Sequence, residues 1–485
     1  MKVLLVRPHL ILPVSRRFNA FLHLEPLDLE IVAGGVAPPH EVAILDLSHD
    51  RRPFATLRRK LRAWRPDLVG FGCYSNQAAA VRALAELVRR TRPTAKIVVG
   101  GVHASIAPQD LNRPELFDFV VRGEGSVAIR RLLAALAESQ PIADEGVLPV
   151  GTPEFDRLAD GLPPAHPDYR EVAHPRRDLV DRSKYFCIWS GKPHEKLGSL
   201  YPRVASMRTS VGCPRRCRFC VVHFLARGRY VQRDPADVVD EIAAIPEDYI
   251  YFVDDEMFIN PVRAEAIARL LLARGVRKQY VSWARSDTIC AHPDMFKLWQ
   301  KAGLQVVYVG LESMEADALK DYNKGVDPDT NRRAVAILRE AGIVLHSALI
   351  VNPDFTKDDF LRLHRTVAAI APAEMSFTVL SPSPGTDFWR ETRARFIAPD
   401  PYAFYDCMHT LLPTRLPLRT FYRYFALLYL RGFQHNPWRA HRVKVPIRDV
   451  LRLIWGGLRT GWTLHELHRD YPPEARAACG RDGGG

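Results

Sequence analysis

Three of the chain's eight cysteines fall within eight residues, in the stretch SVGCPRRCRFCVVHF at 210–224. Cys213, Cys217 and Cys220 are spaced by four and then three positions. Three thiolates so close together suit a soft metal or an iron–sulfur cluster. Zinc would want a fourth ligand and usually Cys-x-x-Cys pairs, and His223, three residues on, offers one. Three cysteines on a short loop can instead hold three irons of a 4Fe–4S cube. The fourth iron is then open to a substrate or cofactor. The other five cysteines (Cys73, Cys187, Cys290, Cys407, Cys479) stand singly and make no disulfide framework. Buried, inert thiols are the expectation for most of them, with the part played by Cys290 and Cys407 left open. No paired carboxylates or Ser/His/Asp set stand out beside the cysteines.

The elements around this loop set its position. A length of 485 residues with 47% hydrophobic and 25% charged residues predicts two or three globular domains. Over 1–138, short apolar runs alternate with helical stretches: KVLLV, EVAILDL, DLVGFGC, AKIVVGG and FDFVVRG read as strands. That alternation predicts a doubly wound parallel sheet of flavodoxin or Rossmann type. Three strand ends run into glycine-bearing loops, GFGCYSNQ, VGGVHAS and VRGEGS. They bring Ser75, Asn76, Gly100, Gly101, His103, Gly123, Glu124 and Gly125 to the sheet edge where ligands of such folds sit. Tight strand-to-helix turns are the plainer reading of any one loop; three at one edge suggest a large ligand. Residues 139–199 are rich in proline and lose periodicity, which reads as a linker.

From 200 to 415 the alternation restarts as six β/α units, with strands expected at RVASMRTS, DYIYFVDD, QYVSWARS, LQVVYVGLES, IVLHSALIV and EMSFTVLSPS. Six in a row predict a partial (β/α)6 barrel. Its functional rim lies past the strand ends, where Asp254, Asp255, Asp287, Glu312 and Ser313 recur and where the cysteine loop follows the first strand. Residues 416–485 read as a helical tail. In PIRDVLRLIWGGL, Ile447, Val450, Leu451, Ile454, Trp455 and Leu458 make an apolar stripe facing away from Arg448, Arg452 and Arg459. Packing of that stripe on its own domain is the expectation; a helix lying on a membrane surface has the same pattern.

The net charge of +13 suits nucleic acid, an anionic membrane or an anionic cofactor. It is spread along the chain with no helix-turn-helix, zinc-finger or aromatic RNA-binding signature beside it, so no nucleic-acid partner is expected. KVLLV reads as a buried strand and not a signal peptide, and no apolar run is long enough to span a bilayer. The default location is cytoplasmic.

Cys-x-x-x-Cys-x-x-Cys with the aromatic Phe219 before its last cysteine, on the loop after the first strand of a six-unit barrel, resembles the radical S-adenosylmethionine (SAM) superfamily. The resemblance implies that Cys213, Cys217 and Cys220 ligate a 4Fe–4S cluster whose open iron binds SAM, cleaved to a 5′-deoxyadenosyl radical. The usual Gly-Gly-Glu is absent. VDDEMF stands in its place, and Asp254 and Asp255 resemble the acidic pair of the cobalamin-dependent branch. Arg285 in ARSD is implied for the SAM carboxylate, and Glu312 and Ser313 in GLES for its ribose or amino group. SPSPGT at 381–386 matches a turn of the same branch, and the first domain resembles that branch's cobalamin-binding domain. No Asp-x-His-x-x-Gly occurs in the first 150 residues, since DLSHD has another spacing, so no protein imidazole on cobalt is implied.

Together these features imply methylation of an unactivated carbon: one SAM methylates the cobalamin, a second makes the radical that abstracts hydrogen, and the carbon radical takes the methyl group. FLHLEPLDLEIVA, FVDDEMFINP, RKQYVSWARSD and HTLLPTRLPLRTFY resemble hopanoid C-3 methylases. A hydrophobic lipid or isoprenoid substrate follows, with a flavodoxin- or ferredoxin-type reductant and a peripheral membrane contact through the C-terminal region. The cysteine loop, the linker and the tail beyond 430 depart from that subgroup. Two other readings stand beside it: a ring-forming cyclase with the same cofactors, and a non-catalytic corrinoid or iron–sulfur sensor.

Overall fold

In the computed structural model, KVLLVR forms strand β1 (Lys2–Arg7), whose four central residues Val3 to Val6 are at most 2% exposed. A strand buried on both faces needs helices above and below it, which is the setting of a parallel sheet. The elements that follow supply them: α1 (Leu27–Gly34), β2 (Glu41–Asp46), α2 (Pro53–Trp64), β3 (Leu68–Gly72), α3 (Ala78–Thr91), β4 (Lys96–Gly100), β5 (Phe119–Val121), α4 (Gly125–Glu138) and β6 (Val147–Pro149). The strand order is β2-β1-β3-β4-β5-β6. All neighbours are parallel except the last pair, where Val121 faces Val147. The order 2-1-3-4-5 is that of flavodoxin-like sheets. Strand β6 falls inside the proline-rich stretch, whose local composition hides it: three residues at a sheet edge leave no periodicity.

The described residues are 1–18, 20–142, 144–189, 199–432 and 446–480; parts of the proline-rich stretch and of the tail lie outside them. The chain divides into two units. The first comprises Met1–Leu12, Glu25–Arg182 and Val221–Val231, the second Pro13–Leu24, Ser183–Cys220 and Gln232–Gly485.

The second unit is a curled parallel half-barrel of β7 (Val204–Met207), β8 (Tyr249–Phe252), β9 (Gln279–Ala284), β10 (Leu304–Glu312), β11 (Val344–Val351) and β12 (Glu374–Val379), hydrogen-bonded in sequence order. Helices α5 (Pro235–Ala244), α6 (Pro261–Ala273), α7 (Pro293–Ala302), α8 (Pro328–Glu340) and α9 (Lys357–Ile370) run between the strands. Three of these helices start the same way, with proline in the first turn and the preceding side chain capping it. Asp234 accepts from the Ala236 N–H, Asn260 from Arg263 and Asp327 from Thr330. On the outer face, Phe252, Tyr280, Phe258 and Phe296 pack around Trp299, whose indole N–H donates to the Ala264 carbonyl at 3.0 Å.

The tail carries α10 (Leu418–Gly432) and α11 (Ile447–Glu466). Here the expected packing is reversed. Of the apolar stripe, Ile447, Leu451, Ile454, Trp455 and Leu458 are exposed, whereas Asp449, Leu453, Gly457, Thr460, Gly461 and Leu464 are buried. Small residues let helices approach closely: a Cβ at Gly461 would sit 2.7 Å from Leu430 of α10. Among the described residues no helix is long and apolar enough to cross a membrane.

Candidate functional site

In the first unit, the residues singled out by the glycine loops lie past the ends of three adjacent strands, β3, β4 and β5. Gly101 follows β4 with φ +101°, and a Cβ there would lie 3.0 Å from both the backbone N and O of Cys73. Only glycine lets the two strand ends meet so closely. Gly123 also takes a positive φ, +79°. Gly125 serves packing, since a Cβ would lie 2.7 Å from Val32. Glu124 caps α4 by accepting from the Ser126 N–H at 2.9 Å. His103 is fully buried between Ser75 Oγ at 3.2 Å and Asp110 at 3.1 Å, and Arg82 closes on the same Asp110 at 2.8 Å. Burial alone would raise the Asp110 pKa, but the hydrogen bond and charge of His103, with Arg82, hold it below the usual carboxylate range. This histidine is locked by its neighbours and positions the loop. Asn76 and the exposed Tyr74 border the same edge. A glycine-lined edge with close backbone approach suits a large, flat ligand such as a corrinoid.

In the second unit, Cys213, Cys217 and Cys220 are half-buried, in no disulfide, on the loop after β7. Two neighbouring carboxylates fix where that loop begins. Asp254 is buried and accepts from the Thr209 N–H at 3.1 Å, the Thr209 hydroxyl at 2.7 Å and the Ser210 hydroxyl. Asp255 accepts from the Gly212 N–H at 2.7 Å. Both members of the acidic pair therefore hold the loop in this structure. Phe219 packs edge-on to Tyr322, and its carbonyl accepts from the Ser383 hydroxyl at 2.6 Å, so the SPSPGT turn also grips the loop. His223, which a zinc site would have needed, lies against Gly228: a Cβ there would sit 2.7 Å from its Cε1.

Two buried cations adjoin the cysteines. Arg285 Nη1 lies 3.6 Å from Cys217 Sγ, while its other nitrogens donate to Asp287 at 2.9 Å and the Lys324 carbonyl at 2.6 Å. Its backbone N–H donates to buried Glu256 at 3.2 Å. Lys324 pairs with Glu312 at 2.7 Å. Burial would lower the ammonium's pKa, but Glu312 and Cys217 outweigh it and raise it. Glu312 closes β10 in the left-handed region, φ +59°, at a register shift. Its carboxylate lies over Gly310, where any Cβ would collide with it and come within 3.0 Å of Lys324 Nζ. Ser313 follows, its hydroxyl accepting from the Glu315 N–H at 3.0 Å. Buried Asn331 donates to the Leu311 and Ser313 carbonyls, both at 3.0 Å, and so braces that turn. Lys324 and Asn331 carry no motif spacing in the sequence, and only the fold brings them to this rim; Glu256 stands in VDDEMF directly after the acidic pair and was passed over there.

The inner wall of the half-barrel carries Trp283, Tyr308, His346 and Glu374 in register on β9 to β12. Trp283 stacks on Tyr308 at 4.6 Å and Tyr308 on His346 at 3.8 Å; His346 Nδ1 meets Glu374 at 2.8 Å. This wall is apolar and aromatic with one polar pair. Cys290 donates to the Thr330 carbonyl at 3.3 Å, and the Cys407 carbonyl accepts from the Val379 N–H at 2.8 Å, extending the edge of β12.

The donor set fits a 4Fe–4S cluster: three thiols outside any disulfide on one loop, with buried arginine and lysine beside them to offset the cluster's charge. Among the described residues no three His, Cys, Asp or Glu side chains converge on a single ion. A cube needs no such convergence, because its irons reach out to separated thiolates.

Comparison with known proteins agrees with this division. Residues 207–367 match the model of the radical SAM superfamily and residues 18–133 that of the B12 binding domain. The chain is 32% identical over 493 residues to the hopanoid C-3 methylase of Methylococcus capsulatus, covering 99% of this chain and 89% of that one. The cobalamin-dependent SAM radical enzyme OxsB, solved with aqua-cobalamin, aligns with a TM-score of 0.68 at 16% identity over 96% of this chain and 72% of its own. The radical SAM methyltransferase TsrM from Kitasatospora setae, with cobalamin and a [4Fe–4S] cluster bound, aligns with a TM-score of 0.59 at 21% identity, covering 82% and 77%. These two establish the likeness of fold.

Proposed function

The chain belongs to the radical SAM enzymes that carry a B12-binding domain, and on that premise we propose that it methylates an unactivated carbon of a hydrophobic lipid or isoprenoid substrate, of the hopanoid kind. Its cofactors are a 4Fe–4S cluster, SAM and cobalamin. When bound they supply radical hydrogen abstraction and methyl delivery. The protein's own residues hold, orient and exclude water. Cys213, Cys217 and Cys220 hold the cluster. Asp254, Asp255 and Phe219 keep their loop in place. Arg285 and Lys324 would offset the charge of the cluster and the SAM carboxylate, and Glu312 and Ser313 would take its amino group and ribose. Ser75, Asn76, Gly100, Gly101, His103, Gly123, Glu124 and Gly125 would form the cobalamin edge, with His103 shaping the loop through Ser75 and Asp110. The aromatic wall of Tyr308 and Trp283 shields a reactive radical from water and takes an apolar substrate. A flavodoxin- or ferredoxin-type protein supplies electrons, and the enzyme works in the cytoplasm with peripheral contact at the inner membrane face.

The observation that carries this reading is the likeness to a C-methylase over nearly the whole of both chains. Its test is a product count. The protein is reconstituted anaerobically with iron, sulfide and cobalamin, then given SAM, a strong reductant and a total lipid extract. 5′-Deoxyadenosine and S-adenosylhomocysteine are expected to rise together and to depend on the lipid. A rise in deoxyadenosine alone would replace methyl transfer by a cyclase-type reaction.

A further inference from the structure

Helix α11 is amphipathic the wrong way round for a helix packed on a protein core. Six large apolar side chains, Ile447, Leu451, Ile454, Trp455, Leu458 and Trp462, are each 52–72% exposed. At 100° per residue they share one arc about 100° wide along a helix roughly 30 Å long. Arg448, Arg459 and Arg452 occupy the next arc, about 40° wide, along one border. All three are exposed, and no carboxylate shares the apolar arc: Asp449 is buried on the opposite side, and Glu466, which falls on the arginine arc at the far end of the helix, is paired with His465 and Arg469.

The orientation is built in. Asp449 accepts from the Ser199 hydroxyl at 2.9 Å and the Leu200 N–H at 3.1 Å, anchoring the first turn. Arg452 lies over the Tyr201 ring at 4.0 Å and donates to the Ala20 carbonyl at 3.2 Å, fixing the arginine border. Gly461 admits Leu430, and a Cβ at Gly456 would lie 3.3 Å from the Phe21 ring. Turning the helix to bury its tryptophans would place them where only glycine fits.

We infer that this face of α11 docks flat on an anionic phospholipid bilayer, with Trp455 and Trp462 in the interfacial layer and Arg448 and Arg459 against lipid phosphates. An apolar arc bordered by arginines is complementary to that surface and to little else. A second copy docked antiparallel through the same patch would set the arginine borders against one another. The inference deepens the lipid-substrate reading by naming the lipid face and its chemistry, but its test needs no turnover.

The full-length holoenzyme is sedimented with vesicles of pure phosphatidylcholine and of phosphatidylcholine with phosphatidylglycerol, while tryptophan emission is followed. Binding to the anionic vesicles with a blue shift is expected, at least about ten-fold stronger than to neutral ones and falling with salt. Trp455→Glu with Trp462→Glu should abolish binding while thermal unfolding and the cluster absorbance stay unchanged, since both side chains point to solvent. Arg448→Gln with Arg459→Gln should bring anionic binding down to the neutral level. Failure of the parent protein to bind either vesicle would overturn the inference, as would equal binding to both. So would a dimer by light scattering that the tryptophan variant breaks.

Discussion

The carboxyl edges of the two parallel sheets face the same architectural task and solve it in opposite ways. In the first unit the edge is mostly backbone: Gly101 and Gly123 at positive φ, with one hydrogen-bonded lock of Ser75, His103 and Asp110 beneath. In the second unit the edge is dense with charge. Asp254, Asp255, Glu256, Arg285, Asp287, Glu312 and Lys324 are nearly all committed to one another or to the cysteine loop. A large preformed ligand is held by shape, and shape comes from absent side chains. A cluster and a small zwitterion are held by charge, and buried charges must be paired before the ligand arrives.

That contrast predicts different failures. The largest concerns the cysteines: Cys213→Ala should remove both the cluster's visible absorbance and deoxyadenosine formation, with cobalamin binding retained. Deoxyadenosine at the parent rate would sink the assignment. Next is Lys324→Met, which leaves Glu312 buried without its cation and should cost about 3–5 kcal/mol in thermal or denaturant unfolding. Adding Glu312→Leu should recover much of that loss; if it does not, the pair is not the source. In the first unit, Gly101→Val forces a β-branched residue into φ +101° against Cys73 and should cost about 1–3 kcal/mol. Cobalamin retention should fall while the iron content stays unchanged.

The last effect is the response to pH, read by regional hydrogen exchange. His409 is fully buried between Asp406 and Asp470, both at 3.0 Å; against the burial that would lower it, they raise its pKa to about 9. Its contribution is complete below the unfolded value near 6.5 and is lost as pH rises through about 9, at most about 3 kcal/mol. Asp110 and Asp118 in the first unit are held low, so their contribution is present above the ordinary carboxylate value and lost as pH falls. The second unit should therefore loosen first in alkali and the first unit in acid.

How much of this was legible in the sequence follows the same line. Buried parallel strands write themselves as apolar runs, so KVLLV, DLVGFGC and LQVVYVGLES fell where strands lie. The cysteine loop and the strand-end residues Arg285, Glu312 and Ser313 could be put on one rim because a β/α repeat fixes where its loops emerge. Lys324 and Asn331 could not, since they reach the rim from loop and helix positions whose spacing to the strands carries no period. The stripe on α11 was visible as a stripe, but periodicity gives a face and not its partner. The decisive signal was the opposite side, Gly457 and Gly461 with Asp449, which marks the surface that packs. Strand β6 was missed because three residues are too few to show alternation.

The ties from Asp254 to Thr209 and Ser210, and from Asp255 to Gly212, use protein atoms alone. The entry to the cysteine loop is thus held by the chain's own carboxylates. The hinge between first strand and cysteine loop is therefore clamped from the end of the second strand, β8, so a substitution at Asp254 reaches the cysteines without touching them.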